Sequence, residues 1–347
     1  MKNLRYTLGA LCAGLLMGAC TEDSPKTYPP VDNTPVEIER GTFARGADVS
    51  WLTELESKGY TFKTGGESAE QKELMTLLRD DCGVNAIRLR VWVNPTEGWC
   101  DIHDMVVKAR RAQALGLRLM VDFHFSDTWA DPGAQSIPEA WADYELPQMK
   151  QAVADHVTEA LSALERAGIM PEWVQIGNET TTGMLWPLGH IDTGSNFTEL
   201  VNAGYDAAKA IFPETLVIVH VDSGDNQYRF DRIFGKLKNE GGRYDMIGMS
   251  LYPDASNWRT TVDACLDNIR HCQSEYGKPV MICEIGMDYN EEEQSAAMMN
   301  YITSQSVALD VKGIFWWEPE APQEEGYKKG CFANGAPTSA LDAFRNF

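Results

Sequence analysis

Two glutamates, Glu179 and Glu284, each end a short apolar run of the sequence, WVQIGNE and VMICE respectively. A pair of carboxyl groups in one cleft can hydrolyse a glycosidic bond, because one protonates the leaving oxygen while the other acts as nucleophile or base. A separation of about 5–5.5 Å between them predicts a retaining mechanism through a covalent intermediate. Asn178, directly before Glu179, favours this interpretation. The alternative is that each glutamate only forms a buried ion pair, for example with Arg88 or Arg90.

Further polar side chains fall at the ends of other apolar runs, where they can meet the two glutamates. They are Asp48, Arg88, Arg90, Asp122, His124, His220, Asp222 and Tyr252. Tryptophans are also frequent at these ends or in predicted loops, at positions 129, 141, 186, 258, 316 and 317. Neutral sugars stack on aromatic rings and pair their hydroxyl groups with polar side chains, so this edge predicts a carbohydrate site. Large aromatics can also simply fill gaps between helices.

Other hydrolytic chemistries have less support in the sequence. A metal-dependent barrel hydrolase needs several histidines, and Phe123-His124-Phe125 supplies one without a His-x-His pair. A serine hydrolase would show Gly-x-Ser-x-Gly, which the sequence lacks. There is neither a Cys-x-x-Cys nor a Cys/His cluster with zinc spacing. We therefore expect neither a metal nor another cofactor.

The elements that position these residues alternate along the chain. Strand-like apolar runs are predicted at 43–47, 85–91, 118–123, 173–176, 216–221, 246–251, 280–283 and 313–317. Helices are predicted between them at 103–115, 148–167, 197–211, 226–239, 258–276 and 291–308. This alternation predicts an α/β fold, a single (β/α)8 TIM barrel with its active residues at the carboxyl ends of the strands. The alternative, an open doubly wound sheet, lacks G-x-G-x-x-G after its first strand.

Composition and charge restrict the partners. The 347 residues include 30 Lys and Arg against 51 Asp and Glu, a net charge of −21. Such a field repels phosphate backbones and other anionic polymers, which disfavours nucleic acid and favours a neutral polysaccharide substrate. Beyond Cys12 and Cys20, six cysteines admit about fifteen complete pairings, and no spacing selects one of them. We expect most of these six to be small core residues.

Several segments of the chain resemble glycoside hydrolase family 53, the arabinogalactan endo-β-1,4-galactanases. The resemblance covers residues 41–345 and is carried by GADVSWL (46–52), VNAIRLRVWVNP (84–95), VDFHFSDTWADPGAQ (121–135), WVQIGNE (173–179), GMLWPLG (183–189), HVDSG (220–224), MSLYP (249–253), ICEIG (282–286) and FWWEPE (315–320). It implies a retaining (β/α)8 enzyme that cuts β-1,4-galactan, the neutral side chain of pectin. Two alternatives remain: a related enzyme acting on mannan or cellulose, and a glycan-binding lipoprotein on a degenerate barrel.

The resemblance also implies roles for individual residues. Glu179 is expected as the acid/base and Glu284 as the nucleophile. Asn178 is expected to bind the sugar 2-hydroxyl. Tyr252 is expected to hold the nucleophile, and Arg88 to neutralise its surroundings.

At the aromatic edge, the resemblance implies that Trp317 stacks under the sugar next to the scissile bond. It implies a cleft lined by Asp48, Arg90, His124, Asp127, Trp129, Asp131, His220 and Asp222. Several bacterial members of the family carry a calcium site in a long loop after the seventh strand. Here the helix predicted at 291–308 follows Glu284 closely, so the loop is short and no calcium site is expected.

The first forty residues predict export and anchoring rather than a fold. Residues 1–19 combine a basic start with a short apolar stretch and end in Gly18-Ala19, as in a bacterial lipoprotein signal peptide. Cys20 is the predicted lipidation site, and the proline-rich residues 20–40 form a tether to the catalytic domain at 41–347. The alternative is an ordinary cleaved signal with an incidental cysteine.

The acidic pair Glu22-Asp23 resembles the surface-export signal of Bacteroidetes lipoproteins. We therefore expect a lipid-anchored protein of the outer membrane that faces the cell surface, and we expect it to be a monomer. No run after Cys20 is long and apolar enough to predict a transmembrane helix.

Overall fold

Eight parallel strands close into a barrel. The computed structural model describes residues 37–347, so the predicted signal peptide, Cys20 and most of the tether lie outside the described residues. The strands are β1 (Ala44–Asp48), β2 (Ala86–Val91), β3 (Arg118–Phe123), β4 (Trp173–Ile176), β5 (Leu216–Val221), β6 (Met246–Leu251), β7 (Val280–Ile285) and β8 (Gly313–Trp317). They pair in sequence order, and β8 closes the ring by pairing with β1. The (β/α)8 prediction is confirmed, and the open doubly wound sheet is wrong.

Helices connect the strands along the outside of the barrel. They are α1 (Leu52–Ser57), α2 (Leu74–Cys82), α3 (Ile102–Ala114), α4 (Leu146–Arg166), α5 (Asn196–Ile211), α6 (Gln227–Glu240), α7 (Trp258–Tyr276), α8 (Glu292–Ala308) and α9 (Asp342–Arg345). The six predicted helices, α3 to α8, are all present. Helices α1, α2 and α9 are not predicted from the sequence, because elements of six, nine and four residues show too little of the helical period.

The interior of the barrel is layered, because inward-facing residues recur at every second position of a strand. Its floor is apolar and takes buried residues from every strand: Ala44, Ala86, Met120, Trp173, Ile218, Met246, Met281, Cys283 and Phe315. Gly46 leaves room for the ring of Phe315, since a Cβ at this position would lie 2.1 Å from that ring. Two or four residues further along the strands the interior becomes polar, with Asp48, Arg88, Asp122, Gln175, His220 and Ser250 buried there.

The cysteines of the described part are core residues, as the sequence predicts. Six thiols in residues 37–347 are free and buried, at positions 82, 100, 265, 272, 283 and 331. Burial raises the pKa of the Cys82 and Cys272 thiols to about 12, so they remain protonated and unreactive. Within the same residues, no helix combines the length and the apolar character that crossing a membrane requires.

Candidate active site

A cavity of about 330 Å³ opens at the carboxyl end of the barrel, and both glutamates line it. Glu284 lies within β7 and is buried, whereas Glu179 follows β4 and is half-buried. The backbone of Glu179 has a φ of 46°, in the left-handed region that residues other than glycine rarely adopt. The next residue, Thr180, fixes this turn by donating its backbone N–H to the carbonyl of His220 at 2.8 Å. Strained backbone of this kind is concentrated at functional sites.

The carboxylate of Glu284 has a hydrogen-bond donor and an ion-pair partner. The Tyr252 hydroxyl donates a hydrogen bond of 2.8 Å to its Oε2, and Nη2 of Arg88 lies 2.9 Å from its Oε1. Burial raises the pKa of Glu284, while the charge of Arg88 and the Tyr252 hydrogen bond oppose that rise. Burial also raises the pKa of Tyr252, so its hydroxyl remains a donor. The ionised form of Glu284 is therefore stabilised by its contacts, as a carboxylate nucleophile requires.

Arg88 joins Glu284 to the polar layer of the barrel. Its Nη1 lies 2.7 Å from Asp48 Oδ2, and its Nη2 lies 2.8 Å from Asp122 Oδ2. Nη2 also donates to Asn178 Oδ1 at 3.0 Å. Burial alone would lower the pKa of Arg88, but the three surrounding carboxylates raise it well above its usual range. The guanidinium is therefore charged, and its loss would leave buried carboxylates without their cation.

The surroundings of Glu179 favour the protonated form. Burial raises the pKa of Glu179 well above its usual range, and the negative charge of Glu284 raises it further. A carboxylic acid that stays protonated near neutral pH can donate a proton to a leaving group. One cavity therefore holds a proton donor and a stabilised carboxylate.

His220 is completely buried beneath the cavity and contacts Asn178, which follows β4, and Ser250 in β6. Its Nδ1 lies 3.0 Å from Asn178 Oδ1, and its Nε2 lies 2.8 Å from Ser250 Oγ. Burial lowers the pKa of His220 well below its usual range, so the imidazole is neutral. Asn178 also donates its Nδ2 to the carbonyl of Ala130 at 2.8 Å. His220 thus supports Asn178 at the cavity wall rather than lining the cavity itself.

Trp129 and Trp317 form an aromatic side of the cavity, with ring centroids 5.8 Å apart. Tyr327 and Lys329 line the same cavity from the segment after β8. The ring of Tyr327 packs against Trp317 with centroids 4.5 Å apart. No sequence pattern predicts Tyr327 or Lys329 as site residues, because they follow the last strand at a distance and lie in no strand-end motif.

Three more predicted residues lie at this edge of the barrel. His124 and Asp131 line the cavity that contains both glutamates, and Nε2 of His124 lies 2.9 Å from Asp122 Oδ2. Asp222 lines a neighbouring cavity of about 250 Å³ to which Glu179 also contributes. The carboxylate of Asp222 contacts Arg229 and accepts a hydrogen bond from Ser223 Oγ at 2.8 Å.

The other predicted cleft residues do not line the cavity that contains both glutamates and have supporting contacts instead. Asp48 and Arg90 are fully buried below it. The two carboxylate oxygens of Asp127 accept the backbone N–H groups of Asn94 and Glu139, each at 2.9 Å. Asp127 therefore fixes the loop after β3, which carries Trp129 and Asp131.

Gln175 and Ser250 are inward-facing polar residues that the sequence analysis does not identify. Gln175 donates its Nε2 to Asp122 Oδ1 at 2.5 Å, and Ser250 contacts His220 as described above. Each is the polar residue inside a buried strand, WVQI or MIGMSL. That interruption of an apolar run was a signal that could have found both.

The loop after β7 is short, as predicted, because β7 ends at Ile285 and α8 begins at Glu292. Asp288 in this loop and Glu292 at the start of α8 both have partners within the protein. Asp288 Oδ1 accepts the backbone N–H of Asn290 at 3.0 Å, and Glu292 Oε1 accepts the Ser339 hydroxyl at 2.8 Å. Across residues 37–347, no group of three or more His, Cys, Asp and Glu is arranged to hold a metal ion.

Comparison with known proteins assigns the sequence to a family. The sequence model described as Glycosyl hydrolase family 53 matches residues 44–310. The chain belongs to glycosyl hydrolase family 53. Family 53 proteins are glycoside hydrolases, and the matched region contains both Glu179 and Glu284.

Individual family 53 relatives match over most of their length. An arabinogalactan endo-β-1,4-galactanase from Humicola insolens is 30% identical over 331 residues, which cover 86% of this chain and 98% of that protein. A solved fungal β-1,4-galactanase structure has a TM-score of 0.81 at 25% identity and covers 88% of this chain and 100% of its own. The family 53 catalytic domain from Ignisphaera aggregans has a TM-score of 0.77 at 28% identity, and the match covers 91% of this chain and 99% of that domain.

Proposed function

We propose that this family 53 protein is a retaining endo-β-1,4-galactanase, which hydrolyses the β-1,4-galactan of arabinogalactan type I in pectin to galacto-oligosaccharides. The proposal rests on the asymmetry of the two glutamates in one cavity. Arg88 and Tyr252 contact Glu284 and favour its ionised form, whereas burial and the negative charge of Glu284 raise the pKa of Glu179. The arabinogalactan endo-β-1,4-galactanases among its relatives support the choice of substrate.

In the first step, Glu284 attacks the anomeric carbon while Glu179 transfers its proton to the glycosidic oxygen. The bond to that oxygen breaks with its electron pair on the leaving sugar, and an ester forms between galactose and Glu284. The negative charge of Glu284 disappears in this step. The pKa of Glu179 then falls, because the neighbouring charge that raised it has gone.

In the second step, Glu179 acts as a base. It accepts a proton from a water molecule, whose oxygen attacks the same anomeric carbon. Glu284 leaves as a carboxylate, again next to Arg88 and Tyr252. Two inversions at one carbon retain the β configuration, and both steps use only side chains of this chain and water.

The rest of the cavity suits a neutral sugar. The half-buried rings of Trp129 and Trp317 offer apolar faces for the C–H groups of galactose. Asn178, whose amide is fixed by Arg88 and Ala130, retains one amide hydrogen for the sugar 2-hydroxyl. The net charge of −21 favours an uncharged polymer over an anionic one.

We also propose that the protein is a monomer anchored by a lipid on Cys20 to the outer membrane and facing the cell surface. The support for the lipid anchor is the sequence of the first 23 residues, in which a basic start and a short apolar stretch lead to Gly18-Ala19-Cys20. Cys20→Ala should shift the protein from the detergent phase to the aqueous phase in a phase-separation assay. Protease added to intact cells should remove the wild-type protein, and light scattering should give the mass of one chain for the soluble domain.

The experiment that tests the activity is incubation of the purified domain with debranched β-1,4-galactan, with mannan and cellulose as comparison substrates. We expect a ladder of galacto-oligosaccharides that shortens with time, and proton NMR should show the β anomer first. Glu284→Gln serves as the matched inactive control. Turnover of mannan or cellulose but not galactan would contradict the substrate, and an initial α anomer would contradict the retaining mechanism. Galactan binding without any hydrolysis would indicate a glycan-binding protein instead.

A further inference from the structure

Arg90 is buried among four tryptophans, Trp51, Trp92, Trp129 and Trp317, which we call the tryptophan cluster. Its guanidinium carbon lies 4.3 Å from the centre of the Trp129 ring and 5.1 Å from that of Trp92. The centres of the Trp51 and Trp317 rings lie 5.4 Å and 5.9 Å away. A cation within about 6 Å of an aromatic ring is attracted to its π face, most strongly where water is excluded.

Of the three guanidinium nitrogens of Arg90, one has a hydrogen-bond partner among residues 37–347. Nη1 pairs with Glu318 Oε1 at 2.6 Å, and both side chains are completely buried. Nε and Nη2 of Arg90 are also buried, and neither has a hydrogen-bond partner in residues 37–347. Unpaired N–H groups are costly in a protein interior. The surrounding π faces account for them, because a ring face attracts an N–H group.

Glu318 ties this pair to the backbone beside the cavity. It follows β8 with a φ of 45°, and its N–H donates to the carbonyl of Asp48 at 3.0 Å. Both of its carboxylate oxygens lie 3.2 Å from the backbone N–H of Trp51. The Arg90–Glu318 pair thus connects the ends of β1, β2 and β8.

The rings of the tryptophan cluster also support one another. Trp129 contacts Trp92 and Trp51 with ring centroids 5.1 Å and 5.7 Å apart, and Trp51 contacts Trp317 at 5.5 Å. All four rings are half-buried, and Trp129 and Trp317 line the catalytic cavity. The guanidinium therefore lies behind the two rings that face the substrate.

We propose that Arg90, held by Glu318, is a positioning residue that fixes the orientation of Trp129 and Trp317 for the bound sugar. The role of these rings as a sugar platform rests on the proposed function. Arg90 itself touches neither the sugar nor the reacting atoms. Its removal should therefore weaken substrate binding more than it slows the chemical step.

The test uses Arg90→Met, which keeps the length of the side chain and removes its charge. The matched control is Arg118→Met at the opposite end of the barrel. Arg118 is also buried, pairs with Glu172 at 2.6 Å and lies 4.5 Å from the ring of Trp173, but it is far from the cavity. Arg90→Lys keeps a cation at position 90 but changes its geometry, whereas Glu318→Gln keeps Arg90 and removes the charge of the carboxylate that holds it.

We expect Arg90→Met to raise KM for galactotetraose by about tenfold or more, with kcat reduced by less than about threefold. Arg90→Lys and Glu318→Gln should give smaller increases in KM, and Arg118→Met none. The exciton circular-dichroism signal of closely packed indoles should diminish in Arg90→Met and persist in Arg118→Met. This signal requires no substrate, so it tests the positioning role even if the wild-type protein fails to cleave galactan, an outcome that would overturn only the proposed function.

Two results would overturn the proposal. The first is a soluble Arg90→Met protein with wild-type KM and wild-type indole circular dichroism. The second is an equal rise of KM in Arg118→Met, since both variants would then act through general loss of stability. If Arg90→Met does not fold, Glu318→Gln decides, because an unchanged KM and an unchanged indole signal in that variant would also contradict the proposal.

Discussion

At the scale of single residues, the two glutamates carry the same functional group in opposite surroundings. Glu284 contacts a guanidinium and a hydroxyl donor, whereas burial and the charge of Glu284 dominate the environment of Glu179. Two titratable groups whose environments separate their pKa values can serve as base and acid at one pH. The positions of Glu179 and Glu284 in the barrel bring them into one cavity. The neighbouring side chains determine which of the two acts as acid and which as nucleophile.

The first prediction separates these roles by substitution. Glu284→Gln should lower kcat on every substrate by at least about 10⁴-fold, because no covalent intermediate can form. Glu179→Ala should lower it by about 10²- to 10⁴-fold on galactan, but far less on aryl galactosides whose leaving groups need no proton. Steady-state kinetics on both substrate types gives the comparison, and equal losses would contradict the assignment.

Azide provides an independent check of the same assignment. It should restore turnover to Glu179→Ala by attacking the galactosyl ester from the face left open by the missing carboxylate. The product should be β-galactosyl azide, which NMR identifies. An α-galactosyl azide from this variant would mean that the two glutamates have exchanged roles.

The second prediction concerns pH. Activity requires ionised Glu284, so it should be lost as pH falls through the pKa of that group. It also requires protonated Glu179, whose raised pKa sets the loss of activity as pH increases. The profile of kcat/KM should be bell-shaped, with apparent values that belong to the coupled pair. A profile that stays flat from about pH 4 to pH 9 would contradict it.

Tyr252 allows the acidic limb of this profile to be assigned. Its hydrogen bond opposes the effect of burial on Glu284, so Tyr252→Phe should raise the pKa of Glu284 further. The acidic limb should therefore move to higher pH, while the alkaline limb shifts less. Movement of the alkaline limb alone would contradict this assignment, because Tyr252 would then affect the pKa of Glu179 rather than that of Glu284.

At the scale of elements, the strands were predictable because a parallel strand buried on both faces forms an apolar run. Trp173–Ile176 and Leu216–Val221 have the same bounds in the sequence prediction and in the structure. The prediction ended the seventh strand at Cys283, but β7 continues through Glu284 to Ile285. A carboxylate at the end of an apolar run looks like a terminus, although here it points from a strand into the site.

Part of the site could not be predicted, because its residues depend on tertiary contacts. Tyr327 reaches the cavity from the segment after β8, where no periodic pattern marks it. The position of Arg90 in a predicted strand places it near the cleft. Only the packing of the tryptophan cluster shows that it lies behind the rings that face the cavity. Sequence spacing identifies the edge of the barrel but not which side chain covers another.

The third prediction follows from the short loop between β7 and α8. A calcium ion needs about six to eight oxygen ligands, whereas Asp288 in this loop and Glu292 at the start of α8 already accept hydrogen bonds within the protein. We expect EDTA to leave both the activity and the melting temperature unchanged. Differential scanning calorimetry with and without added calcium gives the measurement. A melting temperature that falls by several degrees in EDTA and recovers with calcium would show that a metal site exists elsewhere.

At the scale of the whole molecule, the net charge of −21 gives a fourth prediction. Galactan still attached to an anionic pectin backbone should be repelled at low salt, whereas isolated galactan should not. Raising the ionic strength from about 0.01 M to about 0.15 M shortens the Debye length from about 30 Å to about 8 Å. The value of kcat/KM should rise several-fold on the attached galactan and stay nearly constant on the isolated polymer. An equal salt response of the two substrates would contradict this electrostatic origin.

The methionines in the apolar floor of the barrel allow transient opening of the barrel to be measured. Met120, Met246 and Met281 lie in that floor with no exposed surface, whereas Met170 is 36% exposed. Peroxide converts an accessible methionine to its sulfoxide, so the floor thioethers can react only while the strands around them are separated. Mass spectrometry of peroxide-treated protein should show rapid oxidation at Met170 and slow, simultaneous oxidation at the other three positions. The slow oxidation rate measures how often the strands of the barrel separate, and the measurement requires no substrate.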